Sequence, residues 1–212
     1  MRHIPSSDTC HVRVLSFEDA LKPTSADFDR DRWIYVPDYY SEYRYLLGTR
    51  GRHPLVCIGI NPSTAVPGML DNTLKSVERI ALHNGYDSFV MFNVYAQRAT
   101  NPDDMERKIN PRLHQENMKA FSWLLSSVRS PVDLWAAWGA IIEKRDYLVS
   151  CIQDMAAIAS SAGARWFTAG PRSRAGHPHH PLYLRKDSVL EPFTDLESYL
   201  HTLSKFNGGP HV

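Results

Sequence analysis

Four short apolar runs, each bounded by turn residues, constrain the fold of this chain more than any other feature of its sequence. Pro54-Leu-Val-Cys-Ile-Gly-Ile is too short for a core helix and too apolar for a half-exposed strand, so it reads as a buried strand. Ser88-Phe-Val-Met-Phe-Asn, Asp133-Leu-Trp-Ala-Ala-Trp-Gly and Ala164-Arg-Trp-Phe-Thr-Ala repeat the pattern. Helix-length segments separate them. Thr73 to His83 carries Leu74, Val77, Ile80 and Ala81 at helical spacing, with Asn84-Gly85 as a stop. Leu113 to Val128, Ile141 to Ala162 and Asp195 to Ser204 read as three more helices. Strands alternating with helices imply βαβ crossovers. The expected fold class is therefore α/β, with a mainly parallel central sheet covered by helices on both faces. Tyr43-Arg-Tyr-Leu-Leu alternates as an antiparallel edge strand would.

A chain of 212 residues fits one domain. Residues 1–30 are mixed and polar and read as an irregular N-terminal arm, leaving 31–212 as the domain. Trp33, Tyr35, Tyr39, Tyr40, Tyr43 and Tyr45 crowd together, either as a packed flank of the core or as a base-stacking platform. The net charge of +1 removes the simple argument from a strongly basic chain to a polyanionic partner. Three cysteines, Cys10, Cys57 and Cys151, give no disulfide framework and no metal knuckle, which points to a reducing compartment. The N-terminus has no apolar core of signal-peptide length, and no apolar run approaches the roughly 18 residues of a membrane span. A cytoplasmic protein is expected.

In parallel sheets, ligands bind beyond the carboxyl ends of the strands. The loops that matter therefore come after Ile60, Asn93, Gly139 and Ala169. In Gly59-Ile60-Asn61-Pro62-Ser63-Thr64, Gly59 permits close backbone approach and Pro62 stiffens the corner that presents the Asn61 amide. A tight turn with capping side chains explains the same residues. Asp71 or Asn72 is an ordinary helix N-cap, or else a polar group aimed into the same cleft. After the second strand, Asn93 and Arg98 are candidates, the latter for its planar fork. Gly139 opens a helix where amides could meet an anion, although strand–helix packing accounts for it equally. His177, His179 and His180 lie in a Pro-stiffened stretch without a carboxylate or Cys partner at ligand spacing, so a metal is not expected. A single His beside the cleft fits better.

In order along the chain, Arg44-Tyr-Leu-Leu, Asn61-Pro-Ser-Thr-Ala, Asp71-Asn-Thr, Gly85-Tyr, Asn93-Val-Tyr-Ala-Gln-Arg-Ala-Thr-Asn-Pro, Ala137-Trp-Gly and His180-Pro-Leu-Tyr-Leu form a specific set. It resembles the bacterial and phage family known as domain of unknown function 1643, a name that carries no activity. More distantly, Gly59-Ile-Asn-Pro-Ser, the Asn93 loop and His180-Pro-Leu-Tyr-Leu look like motifs of the uracil-DNA glycosylase superfamily. That resemblance implies a three-layer α/β/α sandwich and a glycosylase-like hydrolase of an N-glycosidic bond in a nucleic acid or nucleotide. Asn61 would position water and His180 would stabilise the leaving base. Gly59, Ile60, Pro62, Ser63, Thr64, Asp71, Asn93, Arg98, Gly139 and Tyr183 would bind substrate, with Asn93 reading the base edge. No cofactor is implied. The expected partner is a nucleobase-containing substrate, DNA included, and not a membrane. Two further readings stay open: an enzyme acting on a modified base or nucleoside metabolite, and a nucleobase- or nucleotide-binding module without turnover.

Overall fold

The computed structural model describes residues 2–5 and 12–207. Cys10 lies outside these residues, as does the 6–11 portion of the N-terminal arm. Seven strands form one mixed sheet: β1 (Trp33–Val36), β2 (Leu46–Thr49), β3 (Pro54–Gly59), β4 (Ser88–Asn93), β5 (Asp133–Ala136), β6 (Arg165–Ala169) and β7 (Leu190–Pro192). Their order is β1-β2-β4-β3-β5-β6-β7. The four inner strands β4-β3-β5-β6 run parallel, while β1, β2 and β7 are antiparallel to their neighbours. The sheet is thus parallel only at its centre.

Five helices accompany it: α1 (Phe17–Ala20), α2 (Asn72–His83), α3 (Pro111–Ser127), α4 (Tyr147–Ser161) and α5 (Leu196–Asn207). Strand side chains alternate between the two faces, and the core divides accordingly. Leu55, Cys57, Met91 and Trp135 pack with Leu74, Val77 and Ile80 of α2. Val56, Ile58, Phe92 and Leu134 pack with α1, α3, α4 and α5 through residues such as Phe17, Phe121, Ile152 and Leu200. Helices therefore cover both faces, with α2 on one side.

Local chemistry explains the helix ends. Asp71 caps α2 by accepting from the Leu74 amide at 2.9 Å, and Asn84-Gly85 stops it, with Gly85 at φ +83°. Asn110 caps α3 with Pro111 in the first turn. The expected helix from 141 divides: a 3-10 turn over Gly139–Glu143 precedes α4, which starts only at Tyr147. Arg145, in the gap, spends its guanidinium on the carbonyls of Asp103, Lys144, Met105 and Glu106.

The N-terminal segment is less irregular than its composition suggests. Val14, Phe17 and Ala20 are core residues, and the Phe17 amide donates to the buried Glu116 carboxylate at 2.7 Å. In the aromatic cluster, Trp33, Tyr35, Tyr43 and Tyr45 are buried, while Tyr39 and Tyr40 are 40% and 46% exposed. Most of that cluster is a packed flank. Among the described residues, no helix is long and apolar enough to cross a membrane.

Candidate active site

A cavity of about 420 Å³ opens at the carboxyl ends of β3 and β4. The loop leaving β3 supplies Asn61, Ser63 and Thr64 to its wall; the start of α2 supplies Asp71 to Leu74; β4 ends in it with Asn93. His180 and Leu182 arrive from the long segment after β6. Arg44 comes from the other direction. Because β2 is antiparallel to β4, the residues that precede β2 lie beside the exit of β4, and the Arg44 amide donates to the Ala96 carbonyl at 2.9 Å. Segments more than a hundred residues apart thus share one concave site.

Asn61 is held in a single orientation. Its Nδ2 donates to the carbonyls of Ala99 at 2.7 Å and Pro62 at 3.0 Å, which only the nitrogen end of the amide can do. Among the described residues nothing donates to its Oδ1, which is left as an acceptor. Asn93 is 1% exposed, and among the described residues neither end of its amide has a partner. Such a group costs roughly 1–3 kcal/mol unless something fills its valences. Gly59 pairs with Asn93 in register, and a Cβ on Gly59 would come within 3.1 Å of Asn93 Oδ1 and closer still to the Met91 methyl. The glycine is what leaves room for the amide.

His180 caps a 3-10 turn over Pro181–Tyr183: its Nδ1 accepts from the Leu182 amide at 3.3 Å. Burial pushes its pKa below the ordinary histidine value, against the pull of Asp71. The ring is therefore neutral at neutral pH. With Nδ1 accepting, the proton sits on Nε2, so this His is a donor. Arg44 is 1% exposed and among the described residues its Nε lacks a partner. Burial, with the like charge of Arg98 beside it, lowers the Arg44 pKa to about 9, and the guanidinium stays charged at neutral pH.

Of the residues expected at this site, Asn61, His180, Gly59, Ile60, Ser63, Thr64, Asp71 and Asn93 line the cavity. The other four stand elsewhere. Pro62 is buried behind the loop, and its carbonyl accepts from Asn61 and from the Ala99 amide. Gly139, at φ +62°, packs against His180, where a Cβ would lie 3.6 Å from that of the histidine. Tyr183 is 76% exposed and outside the cavity. Arg98 is fully buried behind the wall, its fork spent on Ser63, Ala65 and Tyr35. His177 and His179 also part from His180: His177 Nδ1 meets the Tyr199 hydroxyl at 3.0 Å, and His179 meets the Pro171 carbonyl. Sequence reasoning missed several lining residues, Arg44, Met91 and Ile141 among them.

The loop after β4 is braced by a buried carboxyl group. Tyr95 donates to Glu106 Oε2 at 2.6 Å and accepts from the Asn110 amide. Burial raises the Glu106 pKa above 4.5, with the Tyr95 bond opposing. The folded state therefore holds this proton more tightly than the unfolded one. That contribution is complete below about pH 4.5 and is lost as pH rises through the raised value. Relative to wild type, Glu106→Gln should gain stability between pH 4 and pH 7. Thermal melts of both proteins across that window check this, and parallel pH profiles would refute it.

No curated protein and no solved structure matches the chain. One family model does, over residues 44–182, and both Arg44 and His180 fall inside it. From the guanidinium that precedes β2 to the turn that seats the histidine, the cavity lies within that span, and the chain belongs to the family described as protein of unknown function (DUF1643).

Proposed function

We propose that this cavity is the active site of a glycosylase-like hydrolase that cuts an N-glycosidic bond in a nucleic acid or nucleotide. The observation that carries the reading is the meeting of Asn61 and His180, far apart in sequence, around an Asn93 amide with both ends unpaired. The two faces of helices about a central parallel core agree with the three-layer sandwich of the uracil-DNA glycosylase superfamily, whose motifs the Asn61 and His180 segments resemble.

The roles rest on the atoms present. Asn61 Oδ1 accepts from a water and orients it toward the anomeric carbon. The water oxygen bonds to that carbon as the carbon–nitrogen bond breaks, and the electron pair leaves with the base. The water's proton passes to solvent or to the departing base. An asparagine amide positions water but is too weak a base to deprotonate it, so the rate must come from orientation and from stabilising the leaving group. The Nε2–H of neutral His180 donates to the base oxygen on which charge develops. The amide of Asn93 supplies an NH2 donor group beside a carbonyl acceptor, the complement of a base edge. In duplex DNA the base must first be flipped out.

The test is release of free base from uracil- and hypoxanthine-containing oligonucleotides, nucleotides and nucleosides. Wild type should release base from one of these classes. Asn61→Ala and His180→Ala should each lower the rate by about 10²–10³-fold. Saturable binding of these compounds with no product, in the folded wild-type protein, would refute hydrolysis and leave a binding module.

A further inference from the structure

Two buried guanidinium groups lie together at the cavity, Arg44 in its wall and Arg98 behind it, and among the described residues neither is in a salt bridge. The Arg44 guanidinium makes one hydrogen bond among the described residues, from Nη1 to the Ala65 carbonyl at 3.2 Å, and its Nε has no partner there. Arg98 approaches the same Ala65 carbonyl at 3.4 Å and otherwise serves Ser63 and Tyr35. Buried charges are normally paired, because removing an ion from water is costly. Asp71 is the carboxylate on the cavity wall, and its Oδ1 already accepts from the Leu74 amide. Two cations therefore share the field of one carboxylate, which among the described residues contacts neither of them. The same wall holds Asn72 and Thr73, the first residues of the twelve-residue helix α2, whose amino end favours negative charge.

Arg98 is enclosed by protein, whereas Arg44 forms part of the cavity wall. A ligand can therefore meet only Arg44. We infer that the cavity takes a nucleoside monophosphate, with the phosphate monoester seated on Arg44 near the start of α2 and the base edge on Asn93. This rests on the nucleobase reading proposed above and narrows it to a small, doubly recognised ligand. A volume of about 420 Å³ suits such a molecule, since pockets for small ligands run from about 300 to 1,000 Å³. The planar fork of Arg44 matches phosphate oxygens, and a charge-assisted bond in a buried site is stronger than a neutral one.

The probes are orthophosphate, the common nucleoside 5′-monophosphates, the matching nucleosides and a short oligonucleotide without terminal phosphates. Calorimetry on the wild-type chain should find one monophosphate bound about tenfold or more tightly than its nucleoside. Orthophosphate should raise the melting temperature of wild type and leave that of Arg44→Gln unchanged. Without ligand, Arg44→Gln should melt no lower than wild type, because it removes an unpaired buried charge. Equal affinity for nucleoside and monophosphate in wild type, a comparison that needs no variant, would overturn the inference. So would an orthophosphate shift that survives in Arg44→Gln. An oligonucleotide that binds as tightly as the monophosphate would overturn the monoester assignment. The two proposals fail separately: Arg44-dependent monophosphate binding without base release sinks only the hydrolase, and base release indifferent to phosphate sinks only the phosphate seat.

Discussion

Gly48→Ala should destabilise the protein by about 3 kcal/mol or more, a fall in melting temperature of roughly 10 °C. Gly48 lies in β2 opposite Val90 of β4. A Cβ there would stand 2.7 Å from the Val90 Cα and closer still to the Phe89 carbonyl oxygen. Both are backbone atoms of the neighbouring strand and cannot turn aside as a side-chain tip would. The sheet must then part between β2 and β4, the junction that carries Arg44 to the rim. Gly68→Ala is the matching control. Gly68 has φ +74° and open space around its Cβ direction, so the substitution should cost only about 1 kcal/mol of backbone strain. Thermal denaturation of both variants checks the pair. Equal small losses would mean that β2 is free to shift and that its register does not fix the position of Arg44.

That junction also marks where reading the sequence runs out. The strands β3 to β6 and the helices α2 and α3 are legible because an apolar run bounded by turn residues and a helical stripe each stand out from the sequence around them. β7 has three residues, too few to show a period, and β1 is hidden in the crowd of aromatic residues that begins at Trp33. The start of α4 is misplaced because Ile141 and Ile142 continue the apolar pattern, whereas the backbone there forms a 3-10 turn. Asn61, Asn93 and His180 are legible because each lies at or beyond the carboxyl end of a parallel strand, where ligands gather. Arg44 breaks that rule. It precedes an antiparallel strand, so it reaches the carboxyl rim from the amino end. Its lack of a salt bridge among the described residues depends on three-dimensional neighbours, and only coordinates reveal it. Arg98 is the opposite case: the sequence shows a fork suited to anions, and the fold turns it onto carbonyls.

Arg98→Ala should cost about 3 kcal/mol or more and should slow any reaction at Asn61, although Arg98 does not touch the cavity. Its guanidinium ties together Ser63 and Ala65 of the site loop and the Tyr35 hydroxyl of β1, and it lies over the Tyr40 ring at 4.4 Å. Truncation leaves a void the size of a long side chain, and it strips the partner from the Ser63 carbonyl and the Tyr35 hydroxyl. Arg98→Met separates these costs. It keeps most of the volume and discards a desolvated charge that opposes Arg44, so it should fold more stably than the alanine variant while still releasing the loop. Hydrogen exchange at residues 63–66 should therefore quicken in both variants, whereas the melting temperature should fall mainly in Arg98→Ala. Exchange that is unchanged in Arg98→Met would show that Ala99, through its carbonyl bond to Asn61, holds the loop by itself. Arg98 would then be core packing with no part in positioning the site.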